Sequence, residues 1–390
     1  MKHKAYAMTI ALLLVGLLAW TATADNAVFF GDPFSGLTTT LLDLFDAGRD
    51  KFEQVRTVAD GLGPVFNGTS CAACHLSPAV GGDNNTVETR FGRISDGQFD
   101  PMVEFGGSLI QTTAPFGPCH VAGETVPAEA TIVAGRKTTP LFGLGLVDAV
   151  PGDVFQRLAR LQKNVSPATA GRVNVVRDAT TGRMAVGRFG WKAQIPSLKH
   201  FSAGAYLNEM GITNPFFPDE NCPQGDCALI QACDPSTVPD DDGTGVQALT
   251  DFMTFLAPPP RGPLTHQAEE GESVFRRIGC ANCHLPNLKT GRNPIKALDR
   301  KTFHPYSDFL LHDMGALGDG IEQERAKGRE MRTAPLWGIR MRTIFLHDGS
   351  QTTLEGAILA HDGQGRFSRN RFNSLDSKEA AAVIAFLNSL

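Results

Sequence analysis

The sequence predicts a mostly α protein in which one small helical module occurs twice, with long loop insertions and an enlarged first copy. Three observations predict it. The same five-residue cysteine pattern stands at 71–75 and again at 280–284. A helix-like segment precedes each copy, and another closes each half of the chain. A shorter echo links Arg136-Lys137-Thr138-Thr139-Pro140-Leu141-Phe142-Gly143-Leu144 to Met331-Arg332-Thr333-Ala334-Pro335-Leu336-Trp337-Gly338-Ile339. The composition suits such a fold. A chain of 390 residues can bury two or three cores. Its 41 glycines and 24 prolines suit long loops without reaching low complexity. A formal net charge of −5 gives no basic surplus, so a nucleic-acid partner is excluded as an expectation.

The first 24 residues read as a secretory signal. Lys2 and Lys4 give a positive start, Ala5–Leu18 an apolar run, and Ala22-Thr23-Ala24 a small-residue cleavage site. The run is short for a membrane span, and no later stretch reaches 18 apolar residues, so no span is expected after cleavage. The expected compartment is the periplasm, where disulfides persist.

Cys71-Ala72-Ala73-Cys74-His75 and Cys280-Ala281-Asn282-Cys283-His284 are the C-x-x-C-H attachment pattern of c-type haem. Two thiols add to the two vinyl groups of one porphyrin, and the adjacent His supplies the proximal iron ligand. Two covalently bound c-type haems are therefore expected, with His75 and His284 on their irons. A zinc site would need both cysteine pairs to meet across the long gap between them. The other cysteines are Cys119, Cys222, Cys227 and Cys233. In an oxidising compartment they read as two disulfides, with three pairings open.

The elements follow in order. Leu41–Val55 reads as a helix, with Gly48 and Phe52 at the spacing that Gly271 and Phe275 repeat. Val246–Leu256 reads as a helix stopped by Pro258-Pro259-Pro260, which also serves as a linker. Asp376 caps a last helix whose Ala380, Val383, Ile384 and Leu387 share one face. The expected domains are 25–258, carrying insertions at about 76–130 and 214–243, and 259–390. The predicted class is thus mostly α, with two cytochrome c-like haem domains and few strands.

Several segments resemble a known family. Thr333–Gly338, Phe345–Ser350 and Thr353–Ile358 look like the C-terminal haem domain of bacterial di-haem cytochrome c peroxidases. Gly61–Asn67, Gly187–Lys192, Glu209–Thr213 and Leu311–Gly315 are similar to the di-haem oxidoreductases related to them. The peroxidases carry a ligating Met where this chain has His361, and a related amine-maturation enzyme carries a Tyr. The resemblance therefore implies His361 as distal ligand of haem 2, with Met314 as the alternative and His347 beside the haem. Tyr206–Met210 sits where the helix ending at His361 sits in the second module, which makes Met210 a candidate distal ligand of haem 1. The resemblance also implies Glu209, Glu104 and Gln111 as pocket acid–base groups, with His120 a further candidate. Trp191 and Trp337 read as core aromatics, or as groups between the haems.

The function this implies is a periplasmic di-haem oxidoreductase, peroxidase-like, passing electrons from the C-terminal haem to a substrate-binding N-terminal haem. The expected partners are a small oxidant such as hydrogen peroxide and a redox protein, a small cytochrome or a cupredoxin. Two other readings stand beside it: a pure electron carrier, and haem-dependent oxidation of an organic or protein substrate.

Overall fold

The computed structural model describes residues 28–114, 122–233 and 238–390. Residues 1–24, Cys119, His120 and the side chain of Cys233 lie outside the described residues. The helices in chain order are α1 (Thr39–Glu53), α2 (Leu144–Asp148), α3 (Gly152–Val165), α4 (Leu198–Met210), α5 (Ala228–Cys233), α6 (Thr244–Phe255), α7 (His266–Arg277), α8 (Leu354–Leu359), α9 (Arg366–Asn373) and α10 (Ser377–Leu387). Among the described residues no helix is long and apolar enough to cross a membrane.

The duplicated module is built around two helix crossings. In α1 the Thr38 hydroxyl caps the first turn, and Phe45, Gly48 and Phe52 fall on the buried face. Gly48 lets α1 lie directly on α6, where a Cβ would stand 2.3 Å from the carbonyl oxygen of Ala248. In the second copy Asp376 caps α10 by accepting from the Glu379 N–H, and Gly271 of α7 meets α10. A Cβ there would stand 1.9 Å from the carbonyl oxygen of Ala382. Each crossing is then filled by aromatic rings. Phe52 and Phe252 have centroids 4.8 Å apart, and Phe275 and Phe386 5.2 Å. The echo segment also folds alike in both copies. Gly143 and Gly338 both take φ of 71° and start a helical turn, a left-handed backbone that glycine adopts without strain.

The mostly α expectation is overturned. Only 36% of the chain is helical, and several small sheets interrupt it. Strands β1 (Val87–Ser95), β2 (Gln98–Asp100) and β3 (Ile132–Lys137) form an antiparallel sheet in the order β2-β1-β3. Three two-stranded ribbons follow: β4 (Val175–Arg177) with β5 (Met184–Val186), β6 (Leu288–Lys289) with β7 (Thr302–Phe303), and β8 (Leu311–Asp313) with β9 (Glu330–Arg332). The first sheet occupies the insertion read as loop. Its hairpin turns at Asp96-Gly97, both with positive φ, and pairs Ser95 with Gln98. An Asp-Gly pair between alternating runs is a strong hairpin signal. Phe91 of β1 is fully buried, with Met102 and Ile110, in a satellite core beneath the sheet.

The cores do not divide at 258/259. The larger cluster surrounds α1, α4 and α6, yet it also takes in Leu288, Leu298, Phe303, Phe309, Leu310 and Trp337. The smaller one joins α7, α8 and α10. A buried ion network ties the two halves further. Asp319 accepts from Arg136 at 2.8 Å and pairs with Lys192 at 2.8 Å. The Lys192 ammonium also donates to the carbonyls of Lys327, Gly328 and Glu330. Among the leftover cysteines, Cys222 and Cys227 form a disulfide.

Candidate haem sites

Each C-x-x-C-H motif follows its first helix and lies on a single helical turn, Cys71–Ala73 and Cys280–Asn282. The two pairs lie in separate parts of the fold, beside different core clusters. A single four-cysteine zinc site is thus not formed.

The two motif histidines share one geometry. His75 Nδ1 lies 3.0 Å from the carbonyl oxygen of Gly82, and His284 Nδ1 lies 3.0 Å from that of Tyr306. A carbonyl only accepts, so Nδ1 carries the proton in both, and Nε2 keeps a free lone pair. A backbone acceptor of this kind fixes the tautomer and ring plane of a metal-binding imidazole. Phe52 backs His75 at 6.0 Å, and Phe275 backs His284 at 6.4 Å. Burial holds both imidazoles neutral. His75 is lowered, and His284 falls to about 4, with the nearby His361 adding to the shift. Burial also pushes the Cys71 and Cys280 thiols up to about 12.

The second site is a large cavity of about 1420 Å³, open mouth included. Cys280, Cys283, His284, His361, Met314 and Gln364 all line it. His361 stands just past the end of α8. Its Nδ1 donates to the carbonyl of Ala357 at 2.8 Å, so its Nε2 is free as well. The His361 and His284 rings face each other with centroids 6.4 Å apart. The cavity's largely apolar lining and two imidazoles with free Nε2 atoms fit a haem. His347 and Trp191 stand on the same wall, rings 6.1 Å apart, and Trp191 donates to the carbonyl of Lys137 at 2.9 Å. Trp337 instead packs in the larger core, against Phe303.

A buried pair, missed in the sequence, flanks this site. His312 Nε2 lies 3.0 Å from Asp308 Oδ2, and its Nδ1 faces Gln364 Oε1 at 3.2 Å. Cys283 Sγ lies 3.6 Å from the same Nδ1. Burial alone would lower the His312 pKa, but the Asp308 carboxylate raises it well above the ordinary value.

The first site is lined differently. Asn67 and Gly68, leading into Cys71, donate their backbone N–H groups to the Glu209 carbonyl at 2.8 and 3.0 Å. The Asn67 side-chain amide donates to the Glu209 carboxyl at 3.2 Å. Burial pushes the Glu209 pKa up to about 8, and the neighbouring Glu88 carboxylate adds to the shift. Glu209 is therefore a neutral acid at pH 7. Gln111 is buried, and its amide donates to the carbonyl of Asn208, beside Glu209. Glu104 is on the surface, bound to Arg93 at 2.8 Å. Met210 is 3% exposed and packs in the larger core. Glu88 was missed because the strand carrying it was read as loop.

Two such sites in one chain are those of a di-haem protein. Residues 125–390 match the family described as "Di-haem oxidoreductase, putative peroxidase". The chain belongs to this family and is a haem-dependent oxidoreductase with two haems. No curated protein matches it. Among solved structures it is similar to hydrazine synthase of Kuenenia stuttgartiensis, at 14% identity and a TM-score of 0.43, covering 99% of this chain and 100% of that one. It is also similar to a MauG-like protein associated with microbial copper homeostasis, at 15% and 0.41, covering 95% of each chain. A third is the diheme peroxidase BthA of Burkholderia thailandensis, at 15% and 0.38, covering 91% of this chain and 86% of that one. At these identities and scores the likenesses carry no argument about function.

Proposed function

We propose that this oxidoreductase is a periplasmic, peroxidase-like enzyme with its two haems joined covalently at Cys71/Cys74 and Cys280/Cys283. Electrons from a redox protein enter at the C-terminal site and reach a small oxidant, hydrogen peroxide, at the N-terminal one. The two domains of this reading are 25–258 and 259–390. The observation that carries it is the difference between the two pockets. His284 and His361 oppose each other at 6.4 Å. An imidazole centroid sits roughly 3.1 Å from a metal held at Nε2, so two rings clasping one ion stand about 6.2 Å apart. His361 and His284 thus close that site to substrate, and Met314 remains a neighbour in the same cavity. Bis-imidazole ligation suits electron entry more than oxidant binding.

Met210 packs in the larger core, against which Cys71 and Ala72 also pack. In this reading the face opposite His75 takes the substrate. When bound there, haem supplies the redox-active iron at which the O–O bond of peroxide is reduced. In this reading Glu209, kept protonated by burial, gives its proton to the departing oxygen. Gln111 positions Glu209 through the Asn208 carbonyl, and the surface position of Glu104 gives it no part.

The test is EPR and absorption spectroscopy of the purified di-haem protein, half-reduced, with and without stoichiometric peroxide. One high-spin centre altered by peroxide is expected, beside one low-spin centre that turns high-spin in His361→Ala. Two low-spin centres indifferent to peroxide would overturn the enzyme reading and leave an electron carrier.

A further inference from the structure

One wall of the C-terminal cavity carries charge that an apolar ring system does not call for. Arg332 and Arg342 both line it, and each is almost wholly buried. Arg332 is fixed from behind. Its Nε donates to the carbonyl of Gly190 at 2.6 Å, and its Nη1 to that of Thr333 at 3.0 Å. Burial, together with the neighbouring Arg342 guanidinium, lowers the Arg332 pKa to about 10. The Nε of Arg342 is buried without a hydrogen-bond partner, 3.5 Å from Asp83 Oδ2.

The nearby counter-charges are already committed. Asp83 accepts from the Lys137 ammonium at 2.5 Å. Asp308 is bound to the His312 imidazolium. Two guanidinium charges are therefore left without a full partner in a water-poor wall, an arrangement that is costly unless anions complete it. A haem has two propionate carboxylates on one edge, and guanidinium groups bind carboxylates in a fixed fork.

We propose that Arg332 and Arg342 seat the two propionates of haem 2, and that Arg342, through Asp83, couples that edge electrostatically to haem 1. The second half follows from chain connectivity. Asp83 directly follows Gly82, whose carbonyl oxygen receives the His75 Nδ1 proton. One short segment thus bears both the contact to Arg342 and the hydrogen bond that orients the proximal ligand of the other haem. The proposal rests on the two haems alone, not on peroxide as the oxidant.

The experiment is a spectroelectrochemical titration of both haems in the intact holoprotein, with haem content measured first. Arg342→Gln removes a cation, so the ferric state gains relative stability. The midpoint of haem 2 is expected to shift down strongly, and that of haem 1 less but in the same direction. Asp83→Asn removes the shared anion and is expected to raise both midpoints, with the larger shift at haem 1. Arg342→Lys keeps the charge without the fork and is expected to give a smaller downward shift at haem 2; it also carries the test if Arg342→Gln loses a haem. If Arg342→Gln, or in its place Arg342→Lys, moves neither midpoint, the propionate seat is wrong. If each substitution moves only the haem on its own side, the seat stands and the coupling is wrong. Peroxide turnover plays no part in these outcomes, so they are separable from the failure of the peroxidase reading.

Discussion

The two haem pockets begin from the same parts and end in opposite chemistry. Both use a glycine-mediated helix crossing, a phenylalanine behind the proximal histidine and a backbone carbonyl on its Nδ1. They part in the residue that the proposed function assigns to the distal side. At the C-terminal site that residue is His361, a neutral base with a free lone pair. At the N-terminal site it is Glu209, a buried acid whose pKa is raised. A lone pair closes a metal site, whereas a proton donor serves a bound substrate. Duplication thus supplies two identical proximal sides, and the distal residue sets what each site can do.

The sharpest way to break that comparison is Glu209→Gln, which keeps the shape and removes the acid. We expect kcat/KM for peroxide to fall about 10²–10⁴-fold, the usual size of a general-acid contribution, with both haems retained. An unchanged rate would remove Glu209 from the chemistry and leave the pockets distinguished by ligation alone.

The pH profile comes next. A carboxyl must be protonated to donate, and the Glu209 pKa stands at about 8. Peroxide reduction should be level near neutrality and then fall as pH rises through about 8, approaching tenfold per unit beyond it. Stopped-flow rates across that range check this, and a profile that instead rises through pH 8 contradicts it. The low-spin spectrum of the His284/His361 site should not follow the same curve.

Smaller effects test the shared half of the comparison. Gly48→Ala and Gly271→Ala each force a methyl against a carbonyl oxygen at a crossing, and each should cost about 1–3 kcal/mol by denaturant titration. Comparable losses would support one packing rule for both modules, whereas a cost at only one would break the equivalence. The smallest effect is expected away from either pocket. Arg157→Ala removes an exposed pair with Asp153 on α3 and should cost about 0.3–0.5 kcal/mol.

Much of this was legible in the chain because it is local. The spacing in C-x-x-C-H, the Asp376 cap and the Gly48/Phe52 and Gly271/Phe275 repeats act over a few residues, and the helices appear within a few residues of expectation. His361 could be singled out because it follows the His-Asp-Gly turn at a family position. The sheet of β1, β2 and β3 was missed although Asp96-Gly97 marked its turn, since a glycine- and asparagine-rich insertion weighed towards loop. Its loss hid Glu88 and so part of the cause of the Glu209 shift. Glu104 and Gln111 look alike in sequence, yet one pairs with Arg93 at the surface and the other is buried beside Asn208.

By itself the sequence pointed to a two-haem protein and to the repeated helical frame, because a five-residue motif and helix periodicity are short-range. Only the tertiary structure decided which imidazole faces His284, which carboxyl stays protonated, that Cys222 joins Cys227, and that Arg332 and Arg342 share a wall with so little counter-charge. Those properties depend on burial and on charges brought together from distant parts of the chain. Desolvation and Coulomb interaction act through space, so they take their values only once the chain has folded.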